Sequence, residues 1–310
     1  MTKKEMVDVI KVENLVQDYG HGRGVFDISF SVAKGEVFGF LGPNGAGKST
    51  TIRHIMGFSR AQSGKTSVFG LESFSNYHKI LKNVGYLPGE IALPDGLTGW
   101  EFIEMMSDLR GGKNKEEISK LLERFSLDLS VETKRMSLGD KRKLAIVAAF
   151  MNDPEVLILD EPTSGLDPVM QNEFISFVKE EKERGKTILL SSHIFSEVEA
   201  TCDRIAIIKE GKIVSQFNTL DLKHNQNKVY QISLKDAQQM HNFKDTCPFE
   251  IADVDEENKK IAFKAHDSQI NEVTAFISTF DITSFKQIKT TLEKHFMGFY
   301  NEDKDFGGQL

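Results

Sequence analysis

The segment Gly42-Pro-Asn-Gly-Ala-Gly-Lys-Ser-Thr50 constrains this chain more than any other. It follows a run, Val37 to Leu41, that is apolar on both sides, as a buried parallel strand should be. A helical pattern with Ile52, Ile55 and Met56 comes after it. Gly42-x4-Gly47-Lys48-Ser49 fits the phosphate-loop pattern G-x-x-x-x-G-K-[ST]. The glycines let backbone N–H groups turn inward onto phosphate oxygens. The helix starting at Lys48 adds the positive end of its dipole. Lys48 is expected to reach the β- and γ-phosphates of a nucleotide, and the Ser49 hydroxyl is placed to ligate Mg²⁺. A chance glycine-rich turn would not require a strand before it and a helix after it, and both are here. By itself the loop implies only a nucleoside triphosphatase.

A second constellation is Val156-Leu-Ile-Leu-Asp160-Glu161, an apolar strand ending in two carboxylates. Asp160 is positioned to hold Mg²⁺, and Glu161 to polarise an attacking water as general base. Two solvated acids at a strand end are common in isolation. Beside a phosphate loop the functional reading is favoured, because function gathers at the carboxyl ends of parallel strands.

Other strands are expected at 7–16, Val25 to Val32, Val84 to Leu87, Thr187 to Leu190 and Arg204 to Ile208. In the second of these, Phe26, Ile28, Phe30 and Val32 share a face. Residues 98–151 read as helical, with Thr98 as N-cap and Glu101 completing a capping box. Leu97, Phe102, Ile103, Met106 and Leu109 supply apolar positions there. Helices at about 169–184 and 194–201 alternate with the strands, which argues for an α/β fold with a parallel sheet. After about residue 220 the character changes. Asp221 to Lys228 is polar and linker-like. Tyr230, Ile232 and Leu234 then alternate, as do Phe249 and Ile251, and Ile261, Phe263 and Ala265. Ser268 opens a helical stretch with Ile270, Val273, Phe276 and Ile277. These suit a small α+β unit of split β-α-β type.

Composition excludes several classes. Lys and Arg number 39 against 46 Asp and Glu, a net charge of −7, so nothing favours broad binding of nucleic acid or anionic lipid. The longest apolar stretch, Leu144 to Met151, falls well short of the roughly 18 residues of a membrane helix. Lys3 and Lys4 are followed by Glu5 and Asp8 with no apolar region, so no signal peptide is expected. Two cysteines, Cys202 and Cys247, are too few for a disulfide framework or a zinc cluster, and suit a reducing compartment.

Further motifs are Met136-Ser-Leu-Gly139-Asp140 before the acidic strand, Pro162-Thr-Ser164-Gly-Leu-Asp167 directly after it, and then Ser191-Ser-His193. In their order and spacing, across roughly residues 7–217, the chain resembles the ATP-binding subunit of an ABC (ATP-binding cassette) transporter. The variant signature, Pro88-Gly89-Glu90, and His193-x3-Glu197-Val-Glu199-x2-Cys202-Asp203-Arg204 resemble the drug- and antibiotic-export subgroup. The resemblance implies a P-loop cassette over residues 1–220. It would have a parallel sheet core, an antiparallel β subdomain and an α-helical subdomain at about 90–151. An accessory α+β domain would occupy 221–310, closed by a helix at Thr291-Leu-Glu293-x2-Phe296.

The resemblance also implies cofactors, partners and roles. ATP and Mg²⁺ would bind between two cassettes, and hydrolysis would drive a separate membrane permease. The chain would sit at the cytoplasmic face of the membrane through that permease, with no transmembrane segment of its own and no nucleic-acid partner. Gly42, Pro43, Asn44, Gly45, Ala46, Gly47, Lys48, Ser49 and Thr50 would hold the nucleotide phosphates. Tyr19 would stack on adenine. Ser137 and the Gly139 N–H would touch the γ-phosphate bound by the other cassette, and Asp167 would bridge the seam. His193 would contact the γ-phosphate and hold the Glu161 arrangement. The competing reading is a regulatory or resistance module of the same ATPase type that acts without transport.

Two departures stand out. The usual signature is Leu-Ser-Gly-Gly-Gln; here Leu138 replaces the first Gly and Asp140 the Gln. A carboxylate near ATP is unfavourable unless it points away or pairs with a neighbour such as Lys141 or Arg142. The basic residues Lys134, Arg135, Lys141, Arg142 and Lys143 either offset it or form a solvated helix face. The loop after Val84–Leu87 usually reads Pro-Gln, but here Gly89 follows Pro88 and has no side chain to ligate metal. Glu90, one residue later, is expected to substitute as a metal ligand. The family's permease-docking segment corresponds to about Glu90 to Glu117, including Leu93, Leu97, Trp100 and Phe102. Trp100, the only tryptophan, would either anchor the permease or pack inside the helical subdomain.

Overall fold

A computed structural model describes residues 7–112, 114–223, 227–288, 292–293 and 296–297. Along the first part of the chain run β1 (Asp8–Asp18), β2 (Gly24–Ala33), β3 (Val37–Leu41), α1 (Lys48–Ile55), β4 (Ser63–Val68), β5 (Leu71–Glu72), α2 (Ser73–Ile80) and β6 (Val84–Leu87). Then come α3 (Gly99–Leu109), α4 (Lys115–Phe125), α5 (Leu138–Phe150), β7 (Val156–Asp160), α6 (Pro168–Glu183), β8 (Thr187–Ser192), α7 (Phe195–Thr201), β9 (Arg204–Lys209) and β10 (Lys212–Asn218).

The central sheet has the order β10-β9-β3-β8-β7-β6. Its strands pair in parallel except β10, which returns antiparallel on β9. Every residue of β3, β7 and β8 is buried, as the apolar runs at 37–41 and 156–159 require for the first two. The carboxyl ends of these three adjacent strands lead into Gly42, Glu161 and His193. A second sheet, β2-β1-β4-β5, is antiparallel throughout. The two sheets share an apolar core in which the Phe30 and Phe38 rings stack with centroids 5.0 Å apart.

One expectation needs correction here. Phe26 does not share the buried face of Ile28, Phe30 and Val32; it is half-buried, and Val25 is the core residue. The pairing register slips between Leu15–Ile28 and Gln17–Val25, and Asp27 takes φ 61°, so a bulge reverses the alternation. The helical 98–151 region comprises α3, α4, a 3-10 turn at Thr133–Arg135, and α5. The Thr98–Glu101 capping box is present at the start of α3. Leu109, at the other end of α3, is exposed. β4, β5, α2 and β10 lack strong apolar periodicity and were not expected; β10 is an edge strand with no fully buried residue.

The chain divides into two compact units, Met1–Thr219 and Leu220–Leu310, with α8 (Thr219–Lys223) at the division. The second unit contains β11 (Asn227–Leu234), α9 (Ala237–Thr246), β12 (Glu250–Asp255), β13 (Lys260–His266), α10 (Ile270–Ile277) and β14 (Ile282–Ile288). Its strands pair antiparallel in the order β12-β13-β11-β14, a split β-α-β topology. Tyr230, Ile232, Leu234, Ile261, Phe263 and Ala265 form its core with Phe243 from α9. A 3-10 turn at Asp267–Gln269, capped by His266 and not Ser268, precedes α10. Residues 3–5, residues 224–226 of the expected linker and Thr291 of the expected closing helix lie outside the described residues; Leu292 and Phe296 are helical and buried. Among the described residues no helix is long and apolar enough to cross a membrane.

Candidate active site

The phosphate loop is shaped by its glycines. Gly45 and Gly47 take φ +81° and +108°, a region that favours glycine. A Cβ on Gly47 would also lie 2.7 Å from Val25 Cγ1, so a larger residue has no space. The loop turns into α1 at Lys48, which is 5% exposed. The Lys48 ammonium donates to the carbonyls of Gly42 at 2.6 Å and Pro43 at 3.2 Å. It also lies 2.8 Å from Glu161 Oε1. Asn44, Gly45 and Ser49 are exposed, Ala46 is buried, and Thr50 is half-buried. Tyr19 is exposed on the loop joining β1 to β2, and that loop returns to Gly24, whose carbonyl borders Gly47.

Asp160 is 2% exposed and accepts a hydrogen bond from the Ser191 hydroxyl. Glu161 sits in the left-handed region at φ 50°, a conformation uncommon for a non-glycine residue and frequent where geometry serves chemistry. Its N–H donates to the Ser191 carbonyl at 3.0 Å, which fixes the turn. Its Oε2 lies 2.6 Å from His193 Nδ1. A carboxylate only accepts, so Nδ1 carries the hydrogen and Nε2 is free to accept or to bind outward. Lys48, Glu161 and His193, far apart in sequence, thus meet where three neighbouring strands end.

The serines preceding His193 were given no role from sequence, yet both hold carboxylates. Ser191 donates to Asp160, and Ser192 donates to Glu197. Burial pushes the Glu197 carboxyl up to about 7, and the Ser192 hydroxyl offsets this only in part. The available signal was two adjacent hydroxyls at the end of a fully buried strand, where each needs a polar partner.

The signature residues have neighbours in their own chain. Ser137 is the N-cap of α5: its Oγ accepts the Asp140 N–H at 3.1 Å and donates to Asp140 Oδ2 at 2.7 Å. Lys143 Nζ is 3.7 Å from Asp140 Oδ1. The additional carboxylate therefore pairs with Ser137 and Lys143. Leu138 is 65% exposed, yet it lies across Gly165, where a Cβ would come within 3.0 Å of its Cγ. Gly139 approaches the Gly165 carbonyl. Asp167 caps α6, accepting the N–H groups of Val169 at 2.9 Å and Met170 at 3.0 Å.

Arg142 is neither on a solvated face nor paired with Asp140. It is 2% exposed and donates to three main-chain carbonyls. Burial lowers its affinity for the proton, and the nearby Asp160 and Glu161 carboxylates oppose that effect. In the loop after β6, the residue against Asp160 is Gly89, where a Cβ would be 3.1 Å from Oδ2; Glu90 is exposed.

A groove of about 580 Å³ opens beside this loop, lined by residues including Leu93, Pro94, Phe102, Met105 and Met106. Leu109 lines it as well, which accounts for an exposed leucine on α3. Trp100 is 52% exposed; it belongs neither to the buried core nor to the groove lining.

The Ser49 hydroxyl and Asp160 carboxylate are hard oxygen donors suited to Mg²⁺. Among the described residues no cluster of three or more His, Cys, Asp or Glu could hold a metal alone. That donor set fits Mg²⁺, which takes one or two protein ligands and completes its shell with water and substrate phosphate.

A phosphate loop, two carboxylates and a histidine at adjoining parallel strand ends define a P-loop nucleoside triphosphatase. Residues 25–164 match the ABC transporter family. The bacitracin transport ATP-binding protein BcrA of Enterococcus faecalis is 38% identical over 227 residues, 72% of this chain and 73% of that protein. The linearmycin resistance ATP-binding protein LnrL of Bacillus subtilis is 41% identical over 219 residues, 69% of this chain and 70% of that one. A solved ATP-binding subunit of an ABC transporter superposes with TM-score 0.64 at 31% identity, covering 70% of this chain and 92% of its own. The chain belongs to the ABC transporter family as an ATP-binding subunit, and it is an ATPase.

Proposed function

We propose that this chain is the energy-coupling ATPase of an exporter of drugs, antibiotics or lipid-like compounds. The observation that carries the hydrolytic reading is Glu161, set between Lys48 and His193 at the end of β7. Bacitracin transport and linearmycin resistance, for which two of its relatives are named, support export.

In this reading the phosphate loop from Gly42 to Thr50 binds the triphosphate, and the Lys48 ammonium leaves the Gly42 and Pro43 carbonyls for the β- and γ-phosphates. Tyr19 lies against the adenine. Glu161 accepts a proton from water as the water oxygen attacks the γ-phosphorus. The bond from that phosphorus to the bridging oxygen breaks, releasing ADP and inorganic phosphate. His193 keeps Glu161 aimed and offers Nε2 to the γ-phosphate. Mg²⁺, held by Ser49 and Asp160, would neutralise charge on the phosphates. Gly89, which lies beside Asp160, has no side chain to offer, and Glu90 from the loop's next position would serve as the loop's metal ligand.

Ser137 and Asp167 are exposed and Gly139 is half-buried, which supports Ser137, the Gly139 N–H and Asp167 completing the site of a second cassette. The groove by Leu93 and Phe102 suits an apolar permease segment, and its length of chain connects directly to Gly89. The chain would then be peripheral at the cytoplasmic membrane face, and residues 221–310 would be an accessory domain.

Glu161→Gln tests the assignment. The variant is expected to lose Mg²⁺-dependent ATP hydrolysis and to accumulate an ATP-bound dimer; wild-type turnover would overturn the base assignment. A Leu93→Glu variant that still captured the permease would overturn the docking seat.

A further inference from the structure

Arg142 joins three segments through one side chain. It lies on α5, five residues beyond Ser137. Its Nη1 donates to the Pro88 carbonyl at 2.9 Å and its Nη2 to the Gly89 carbonyl at 2.6 Å. Its Nε donates to the Ser164 carbonyl at 2.9 Å, in the turn after Asp160 and Glu161. The rigid guanidinium fork suits several fixed acceptors, which a lysine ammonium cannot match. Burying a guanidinium against neutral carbonyls is costly unless it is hydrogen-bonded, so each of the three contacts offsets part of that cost.

The geometry of Gly89 gives the placement its consequence. A Cβ on Gly89 would lie 3.1 Å from Asp160 Oδ2, so the glycine lets this stretch of chain come close to the carboxylate without displacing it. Pro88 and the following Ile91 to Pro94 line the groove. Movement of the groove wall therefore bears on Asp160 through the chain at Gly89, and Arg142 is what ties that stretch to the carboxylate turn.

We propose that Arg142 is a positioning residue that locks the groove loop to the Asp160–Glu161 turn, so that the two segments move as one. This rests on the hydrolytic reading of Glu161 for its functional consequence, although the mechanical coupling does not. It places the link between groove and reacting centre in main-chain contacts, not in a side chain at position 89.

The test uses the full chain and Arg142→Lys, which keeps the charge and loses the fork. Amide hydrogen exchange without nucleotide or metal is measured over residues 88–94 and 162–166. Both segments are expected to exchange faster together, by about fivefold or more, while β3 and β8 keep wild-type protection. In Mg²⁺-dependent ATP hydrolysis, kcat is expected to fall by about tenfold with KM for ATP within about twofold, as for displaced positioning groups. Loosening of one segment alone, or unchanged exchange, overturns the proposal. A proportional rise in KM with kcat retained also overturns it. Arg142→Met is the stronger lesion; where it fails to fold, Arg142→Lys decides. A wild-type chain without hydrolysis would sink the reading of Glu161 and leave the exchange result to judge Arg142 separately.

Discussion

The Lys48 ammonium lies 2.8 Å from the Glu161 carboxylate, with both side chains largely buried. In the roles proposed for them, this pair sets the phosphate-binding cation against the general base, each offsetting the other's charge. On that proposal, ATP binding would draw Lys48 away from Glu161. Removing the carboxylate charge should therefore tighten ATP binding even as it abolishes chemistry. Glu161→Gln is expected to lower the ATP Kd several-fold, up to about tenfold, equal to about 1.4 kcal/mol. The same variant should lose at least about 10²-fold in kcat. Calorimetric titration beside phosphate release would check both, and weaker binding in the variant would count against the internal ion pair.

His193 touches Glu161 through Nδ1 and is half exposed through the rest of its ring. His193→Ala should leave ATP affinity within about twofold and reduce kcat by about 10²-fold or more, because an unaimed base is a poor one. Single-turnover hydrolysis separates this from a binding defect. A variant with a raised Kd and normal single-turnover rate would assign His193 to binding alone.

Glu197 is buried beneath the same strand end, with its folded-state value raised from 4.5 to about 7 by desolvation. The fold thus holds the proton more tightly than the unfolded chain does. The stability this contributes is full below about pH 4.5 and is lost as pH rises through about 7. The slope is at most about 1.4 kcal/mol per pH unit for one proton. Glu197→Gln should flatten this part of the profile. Melting curves of both proteins between about pH 5 and about pH 8 would show the wild type losing ground relative to the variant. Parallel profiles would refute the linkage.

Phe243 is fully buried in the second unit, with the Phe276 ring centroid 5.0 Å from its own and Phe280 at 5.1 Å. Phe243→Ala removes this ring and should cost about 3–5 kcal/mol. If the two units fold independently, calorimetry should show the lower stability in one transition while the other, and the ATPase activity, keep wild-type values. A uniform shift of the whole melt would argue for one cooperative body.

The features legible in the sequence are local ones. Gly45 and Gly47 take a left-handed path and Gly47 leaves room beside Val25, so the motif carries its own geometry. Continuous apolar runs at 37–41 and 156–159 can be stable only in a sheet covered on both faces. The Thr98–Glu101 box closes within one helical turn. These depend on backbone dihedrals and on periodicity, which short stretches of sequence determine.

The tertiary structure alone decided which side chains meet. Phe26 left the core because a bulge at Asp27 changed the register, and no alternation pattern marks that extra residue. His193 found Glu161 because β7 and β8 are neighbours in register, with Asp160 paired to Ser191. Arg142 looked like one of several basic residues on a wet helix, but the turns at 88–89 and 164 fold over it and exclude water. Its three contacts each span more than a helical turn's reach along the chain, and such contacts follow from strand order and layer packing. Sequence determined the chemistry available at this site; the register of the central sheet determined which groups share it.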